Sequence, residues 1–316
     1  MSPAPDIKRF ASKLEKSFKG KIADRVGMKR LTTFRIGGLA ELILYPRTLE
    51  DLETAVENAR KFGVPWKMLG AGSNLLVLDG GVSEALINTC DAFLDLDIPE
   101  DAIDAGEETI VTVGAGVKLA NAVKQCQIKG LTGIEWAAGI PGSLGGAVIM
   151  NAGSMGSSMS DSLEWVEWYV PGEGVERVKA EDIVFDYRWL ERPPGAIVTR
   201  AGLRLTADDP KAIRETIVKG LKWRRINQPL SYPSAGSVFK NPEGDYAGRL
   251  IEECGLKGDR NGDAQISDLH ANFIVNRGRA KSREVTDLIE LARNKVKEKF
   301  GVDLELEIEI IGEELS

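Results

Sequence analysis

The chain is poor in the residue types on which many secreted and metal-dependent proteins rely. Its 316 residues include three cysteines and one histidine. No two of Cys90, Cys126 and Cys254 have the spacing of a metal site or a Cys-X-X-Cys motif. An odd, scattered set of this kind argues against a disulfide framework and favours a reducing compartment. A zinc site built on histidine, or a Ser-His-Asp triad, would depend on His270 alone, so we expect no metal.

Long apolar runs and runs of one charge are also missing. No apolar run is long enough to span a bilayer, and Met1–Lys21 lacks the apolar core of a signal peptide. The net charge is −7 and the 41 lysines and arginines are scattered, so no basic field favours nucleic acid or an anionic membrane. We therefore expect a cytoplasmic protein with small-molecule partners. The oligomeric state is not readable from the sequence.

A glycine-rich apolar segment, residues 138–153, is the most informative part of the chain. It reads AGIPGSLGGAVIMNAG, which is too apolar for a surface linker and too rich in glycine for a regular helix or strand. Glycine lets a ligand approach the backbone and permits positive φ, and successive free N–H groups bind anions. A second segment, residues 69–77, reads LGAGSNLLV. It is not GxGxxG, and by itself it could be a tight turn. Two such segments together favour one long ligand with a diphosphate.

Hydrophobic periodicity predicts helices and strands in the N-terminal part of the chain. Residues 1–30 read as a short helix followed by a polar turn. Ala40–Tyr45 has the pattern of a strand. Thr48 is predicted to be the N-cap of a helix, with Asp51 completing a capping box. Gly63 is predicted to end this helix.

The C-terminal part is also predicted to contain both helix and strand. Ser282 can cap a helix whose apolar stripe runs from Val285 to Phe300. The tail Leu304–Ile310 alternates strictly, which predicts a strand with one apolar face. The length of 316 residues suggests two domains or three small ones, and a hydrophobic content of 43% is ordinary for a globular protein.

Several motifs occur along the chain in the order known from one enzyme family. They are TFRIGG at 33–38, LGAGSN at 69–74, GIPGSLGGAVIMNAG at 139–153, YR at 187–188, YPSAGSVFKNP at 232–242, AGRLIE at 247–252, HANFIVN at 270–276 and the segment around Glu307. Together they resemble the UDP-N-acetylenolpyruvoylglucosamine reductases, which belong to the vanillyl-alcohol-oxidase-type flavoproteins. The resemblance covers nearly the whole chain.

The resemblance implies an α+β fold with two functional domains. An FAD-binding domain of the vanillyl-alcohol-oxidase (PCMH) type is expected at 30–207. A smaller α/β substrate-binding domain is expected at 208–316, and residues 1–29 form an N-terminal helical segment packed on the FAD domain. The site is expected in the cleft between domains. The chain resembles the shorter type of the family, because no long insertion with its own tyrosine lid lies between 200 and 231.

The reaction implied by the resemblance is the reduction of an enolpyruvyl ether to UDP-N-acetylmuramate, in peptidoglycan precursor synthesis. FAD is the cofactor and NADPH the co-substrate, although the sequence does not fix the preference for NADPH over NADH. The protein must stabilise an enolate-like carboxylate and supply a proton. Two alternatives stay open: a flavin oxidase of an alcohol or hydroxy acid on the same FAD domain, and a non-catalytic UDP-sugar-binding protein.

Three positions match the catalytic motifs of the family. Arg188 offers a permanent, forked cation to the substrate carboxylate, and its alternative is a surface ion pair with a neighbour such as Asp186. Ser237 matches the proton donor, and its alternative is an ordinary turn serine. Glu307 would polarise the carboxylate together with Arg188, with a perturbed pKa. Its alternative is a solvated strand glutamate.

The resemblance also implies binding residues. The expected FAD contacts are Thr33, Leu69, Gly70, Ala71, Gly72, Ser73, Asn74, Leu75, Gly139, Ile140, Pro141, Gly142, Ser143, Gly145, Gly146 and Ala147. The expected substrate contacts are Tyr187, Lys240, Asn241 and Lys257, although either lysine could be plain surface charge. The family often has arginine where this chain has Glu309. We expect a structural hydrogen-bonding role for His270.

Overall fold

The computed structural model of the chain describes residues 7–99 and 106–315, so the predicted segment 1–29 begins outside the described residues. The helices are α1 (Ile7–Leu14), α2 (Leu49–Phe62), α3 (Leu119–Ile128), α4 (Leu144–Ile149), α5 (Met159–Ser162), α6 (Pro210–Asn227), α7 (Ala247–Glu253) and α8 (Ser282–Phe300). Within the described ranges, no helix is both long and apolar enough to cross a membrane.

Strands make up most of the remaining regular structure. They are β1 (Lys21–Gly27), β2 (Leu39–Tyr45), β3 (Trp66–Leu69), β4 (Leu75–Val77), β5 (Val82–Asn88), β6 (Leu96–Asp97), β7 (Glu108–Gly114), β8 (Leu131–Thr132), β9 (Gly153–Ser154), β10 (Ser157–Ser158), β11 (Leu163–Val170), β12 (Gly174–Lys179), β13 (Phe185–Asp186), β14 (Trp189–Leu190), β15 (Ile197–Ala207), β16 (Arg260–Asn261), β17 (Ala264–Ile266), β18 (Ile274–Asn276) and β19 (Glu309–Ile311).

The chain forms two units, each assembled from separate stretches of sequence. The first contains the described parts of Met1–Ala23, Ile43–Ala71 and Ala85–Trp223, and the second those of Asp24–Leu42, Gly72–Glu84 and Arg224–Ser316. These bounds differ from the contiguous ranges 30–207 and 208–316. The physical reason is burial, since Phe34, Ile36 and Leu76 lie in the same apolar core as the C-terminal residues.

The first unit contains an antiparallel sheet in the order β12-β11-β15-β7-β6, with β8 paired to the end of β15. Apolar residues of α3 and α4 pack against residues of β7, β11 and β15 in one core. The helix α4 lies inside the glycine segment, so the prediction that this segment is too rich in glycine for a helix was wrong. Glycine costs a helix about 1 kcal/mol, and packing of Leu144 and Val148, both fully buried, offsets that cost.

A second sheet has the order β1-β2-β5-β3, and β1, β2 and β5 each contribute residues to both units. The prediction of a polar turn before residue 30 missed β1, whose mixed burial shows no continuous apolar face. The helix α2 begins and ends as predicted. Thr48 accepts a hydrogen bond from the Asp51 N–H (3.2 Å), and Gly63 adopts φ 64°. The capping-box prediction for Asp51 was wrong, because its carboxylate accepts from the N–H groups of Lys19 and Arg47 instead.

The second unit is built on α8 and the three-stranded sheet β16-β17-β18. The stripe from Val285 to Val296 is buried as predicted, and Gly301 ends the helix at φ 71°. Ser282 does not cap α8 but is its first residue. It forms two hydrogen bonds with Asp79, whose N–H donates to the serine hydroxyl (2.9 Å) and whose carboxylate accepts the serine N–H (2.8 Å).

The C-terminal tail is only partly the predicted strand. Glu309–Ile311 pairs in parallel with β4, whereas Leu306 makes an isolated bridge to Phe239. Leu304 and Ile308 are buried at a spacing of four, so the strict alternation does not describe the burial. The reason is that the backbone before β19 bonds to the loop containing Val238 rather than to a continuous sheet.

Candidate active site

The first glycine segment follows β3 and turns sharply at Gly72. This residue has φ 63°, and a Cβ atom there would collide with the carbonyl oxygen of Leu31, so the turn requires glycine. The Thr33 N–H donates to the Gly72 carbonyl (3.0 Å), and the Thr33 hydroxyl donates to the carbonyl of Ser234 (2.8 Å). Thr33 therefore connects the Gly72 turn to the loop that contains Ser234, within the second unit.

The second glycine segment combines open turns with close packing. Gly139 and Gly142 have φ 79° and 149°, the region that favours glycine. The Gly145 N–H donates to the Ala115 carbonyl (2.9 Å), and a Cβ at Gly145 would lie 2.9 Å from the Ala115 Cβ. Gly145 therefore lets α4 pack closely against Ala115, the residue that follows β7.

Residues 69–71, the part of the first glycine segment that lies in the first unit, are next to the second glycine segment. A Cβ built on Gly70 would lie 3.6 Å from the Ser143 Oγ, and one built on Gly146 would lie 3.7 Å from the same atom. No nearer heavy atom blocks either position in the described structure. Backbone that is bare on one side and within reach of a hydroxyl is the chemistry that holds a phosphate. The residues present therefore fit a dinucleotide such as FAD.

Arg188 lies in the two-residue turn of the hairpin β13–β14, between the paired residues Asp186 and Trp189. Its φ of 61° is unusual for a non-glycine residue. The guanidinium lies over the ring of Tyr187 (4.8 Å to the centroid) and donates to the carbonyl of Gly153 (3.2 Å). The Asp186 carboxylate accepts the Tyr187 N–H (2.6 Å). These contacts fix the guanidinium in the first unit.

Ser237 and Glu307 lie on adjacent backbone segments in the second unit, although 70 positions separate them in sequence. The Glu307 N–H donates to the carbonyl of Val238, the residue after Ser237 (2.8 Å). The Asn74 side chain donates to the Glu307 carbonyl (2.9 Å), and the Glu309 N–H donates to the Asn74 carbonyl (2.9 Å). The structure therefore brings together two of the three predicted catalytic residues and the end of the first glycine segment.

A buried amide fixes the segment that contains Ser237. Asn272 is 3% exposed. Its Nδ2 donates to the Phe239 carbonyl (2.8 Å) and its Oδ1 accepts the Phe239 N–H (2.9 Å). The Asn272 carbonyl also accepts the Val238 N–H (2.8 Å). Three bonds thus fix the backbone on the C-terminal side of the serine.

The two predicted substrate lysines make weak, replaceable ion pairs in the second unit. The Lys240 Nζ lies 3.4 Å from the Glu305 carboxylate, and the Lys257 Nζ lies 2.8 Å from the Glu252 carboxylate. Exposed pairs of this kind contribute about 0–1 kcal/mol, so a phosphate can replace the glutamate. The Asn241 Oδ1 accepts the first N–H of α7, from Ala247 (3.1 Å). Tyr187, in the first unit, is 43% exposed.

His270 has the structural role that the sequence predicts. Its Nδ1 accepts the Asn272 N–H (3.3 Å), and its ring lies edge-on to Phe273 (4.9 Å between centroids). Burial lowers the pKa of His270, and the charge of Lys257 lowers it further. An acceptor Nδ1 needs the neutral ring.

Sequence reasoning missed the buried asparagines that fix these segments. Asn151, Asn272 and Asn276 are each less than 7% exposed, and Asn276 donates to the carbonyl of Phe34 (3.1 Å). A usable signal was present, because each lies in or beside an apolar stretch where an amide needs partners.

Comparisons with known proteins agree with the fold and the motifs. A family model described as UDP-N-acetylenolpyruvoylglucosamine reductase, C-terminal domain, matches residues 228–311. A model described as FAD binding domain matches residues 40–178. The expected α+β fold with an FAD-binding domain is thereby confirmed.

Individual relatives match over almost their whole length. UDP-N-acetylenolpyruvoylglucosamine reductase of Moorella thermoacetica is 42% identical over 311 residues, 98% of this chain and 100% of the relative. The enzyme of the same name from Bacillus subtilis is 36% identical over 97% of this chain and 99% of the relative. The crystal structure of UDP-N-acetylenolpyruvylglucosamine reductase (MurB) from Thermus caldophilus superposes with a TM-score of 0.74 at 38% identity, covering 92% of this chain and 98% of that chain. The chain therefore belongs to the UDP-N-acetylenolpyruvoylglucosamine reductase (MurB) family of FAD-dependent oxidoreductases.

Proposed function

We propose that this chain reduces UDP-N-acetylglucosamine enolpyruvate to UDP-N-acetylmuramate with NADPH, and that Arg188, Ser237 and Glu307 carry the reaction. The main support beyond family membership is the hydrogen bond from the Glu307 N–H to the carbonyl beside Ser237. This bond holds a carboxylate-bearing residue next to a hydroxyl-bearing one across 70 positions of sequence.

The two glycine segments, with Thr33, are proposed to hold FAD, which supplies hydride transfer when bound. Bare backbone at Gly70 and Gly146 beside the Ser143 hydroxyl supports diphosphate binding there. The substrate diphosphate is assigned to Lys240, Asn241 and Lys257, with Tyr187 as a further contact. Each lysine pairs with an exposed glutamate, which a phosphate can replace.

Each catalytic side chain has a separate task. The Arg188 guanidinium binds the substrate carboxylate and stabilises the charge that grows on it in the transition state. Glu307 polarises the same group by donating a hydrogen bond from its carboxyl group. The Ser237 Oγ donates the proton that completes the saturated product. The bonds from Asn272 keep the backbone beside this hydroxyl in one position.

The cellular location is proposed as the cytoplasm. Cys90, Cys126 and Cys254 are free, and burial raises the pKa of Cys126 to about 12. A buried, protonated thiol is unreactive, which suits a reducing compartment.

A Ser237→Ala variant tests the proton donor. The parent protein is expected to be yellow and to oxidise NADPH only when the enolpyruvyl substrate or another acceptor is present. The variant should keep FAD and its reduction by NADPH but lose about 100-fold or more in turnover, because general acid catalysis contributes about 10²–10⁴. Stopped-flow absorbance of the flavin separates the two half-reactions.

The matched control is Ser231→Ala, an exposed serine of the same loop, which should behave like the parent. Parental turnover in the Ser237 variant would remove that residue from the mechanism. A preparation that neither contains nor takes up FAD would overturn the proposed function. Consumption of oxygen during turnover of an alcohol would indicate an oxidase.

A further inference from the structure

Asn151 lies near the end of the second glycine segment but is not among the proposed FAD contacts. It is 6% exposed and has φ 38°, a left-handed conformation that costs a non-glycine residue about 1–3 kcal/mol. Its Nδ2 donates to the Asp186 carbonyl (3.1 Å) and its Oδ1 accepts the Ser160 N–H (3.0 Å). A strained, buried amide with both ends bonded holds two segments together.

The carbonyl that Asn151 binds lies at the base of the Arg188 hairpin. Asp186 is the last residue of β13 and pairs with Trp189, so the two residues between them form the turn. The hydrogen bond from Asn151 to the Asp186 carbonyl therefore fixes the residue that immediately precedes the turn containing Arg188.

The same short segment also contacts the guanidinium. The Gly153 carbonyl, two residues after Asn151, accepts from the Arg188 Nη2 (3.2 Å). A Cβ at Gly153 would lie 3.3 Å from the Arg188 Nη1, so the guanidinium lies directly against this backbone. Residues 151–153 thus hold the hairpin at its base and the arginine at its charged end, all within the first unit.

We propose that Asn151 is a positioning residue for Arg188, which it orients through the Asp186 carbonyl. The proposal rests on the proposed role of Arg188 as the cation that binds the substrate carboxylate. A forked guanidinium must face a carboxylate in one orientation to form two bonds, and a displacement of about 1 Å at a reacting centre costs about 10²-fold in rate. The amide therefore affects the chemistry without touching the substrate.

The main test is Asn151→Gly in the FAD-loaded enzyme. Glycine adopts φ 38° without strain, so the change removes the amide and preserves the backbone. We expect kcat/KM for the enolpyruvyl substrate to fall about 10–100-fold, while the rate of flavin reduction by NADPH stays within about threefold of the parent. Asn151→Asp keeps an acceptor for the Ser160 N–H but replaces the donor to the Asp186 carbonyl with a buried, negatively charged oxygen that the carbonyl repels. It should show a loss of the same order.

Met155→Gly is the matched control. Met155 also has a left-handed backbone (φ 57°), is 57% exposed and lies in the β9–β10 turn of the same region. Its kcat/KM should stay within about twofold of the parent. Unfolding midpoints in urea for all variants identify any loss of turnover that follows general destabilisation.

A double-mutant cycle separates positioning from a general structural effect. If Asn151 acts through Arg188, then Asn151→Gly changes kcat/KM by less than about twofold in an Arg188→Ala background. The dissociation constant of the substrate, from the change in flavin absorbance without NADPH, provides the same comparison without turnover.

The outcomes distinguish the two proposals. If Arg188→Ala alone leaves turnover at the parental level, the proposed role of Arg188 is wrong and the role of Asn151 is lost with it. If Arg188→Ala is impaired and Asn151→Gly lowers kcat/KM by the same factor in both backgrounds, the role of Arg188 stands and the positioning role of Asn151 is overturned.

Discussion

The contacts of His270 indicate a structural role, although histidine is often a catalytic residue. Its Nδ1 accepts the Asn272 N–H, so folding favours the neutral ring. Burial and the charge of Lys257 lower its pKa below the usual value of 6.5. Its link to the Ser237 segment runs through the Asn272 N–H.

This lowered pKa predicts a pH dependence of stability. The folded-state pKa lies below the unfolded value, so protonation favours the unfolded chain. The contribution of neutral His270 is fully present above about pH 6.5 and is lost as the pH falls through the folded-state pKa. Since the chain has one histidine, its C2–H resonance can be followed alone by NMR, and we expect a midpoint below 6.5.

The paired measurement is the free energy of unfolding of the parent and of His270→Asn between pH 7 and pH 5. The asparagine oxygen can replace the Nδ1 acceptor without titrating, so the variant should lose less stability over this range. A C2–H midpoint at or above 6.5 would contradict the structural assignment.

The catalytic residues show what single positions reveal in a sequence. Alone, Ser237 reads as a turn serine and Glu307 as a solvated glutamate. Only the fold brings their backbones together, through the Glu307 N–H and the Val238 carbonyl. The resemblance selected these positions, whereas composition and spacing did not. The roles of these residues stay predictions until the variants are measured.

At the scale of elements, long periodic helices were predictable and short strands were not. The bounds of α2 follow from Thr48 and Gly63, and the buried face of α8 follows from its apolar stripe. Strands of two or three residues, such as β13 and β14, are too short to show a period. Yet this short hairpin carries Arg188.

The start of α8 shows why a local capping rule failed. Ser282 has the right identity for an N-cap, but it is fully buried and bonds to Asp79, 203 positions away. Ser282→Ala would leave the Asp79 N–H without this acceptor. We expect a loss of about 1–3 kcal/mol in the free energy of unfolding, the usual cost of an unsatisfied buried group.

Urea unfolding monitored by circular dichroism measures this loss. Ser231→Ala, at an exposed serine, provides the baseline and should change the free energy of unfolding by less than about 0.5 kcal/mol. Equal effects of the two substitutions would show that the bond from the Asp79 N–H to the Ser282 hydroxyl contributes nothing to stability.

At the scale of the whole molecule, the fold class was predictable and the division into units was not. The motifs and the mixture of helices and strands indicated α+β with an FAD-binding domain. Composition changes little at residues 24–42 and 72–84, whereas their assignment depends on the burial of Phe34, Ile36 and Leu76. Such tertiary burial leaves no local mark in the sequence.

The proximity of the two glycine segments gives the last prediction, which concerns FAD uptake. Gly70 and Gly146 are bare on the side of the Ser143 Oγ, so the methyl group of Gly70→Ala or Gly146→Ala enters space that the proposal assigns to the diphosphate. We expect less flavin per chain in the purified variants, from absorbance. We also expect a smaller rise in unfolding temperature on adding FAD, because a ligand stabilises the folded state by RT ln(1 + [L]/Kd).

Stability without FAD should be nearly unchanged in Gly70→Ala, because no backbone atom of residues 7–99 or 106–315 blocks the new methyl group. It should rise by up to about 1 kcal/mol in Gly146→Ala, which lies in α4. Gly27→Ala is the control, because its Cβ position meets no heavy atom of the described residues within 4 Å and its φ is −68°. If Gly70→Ala and Gly146→Ala both bind FAD as fully as this control, the diphosphate does not bind at the bare backbone beside Ser143.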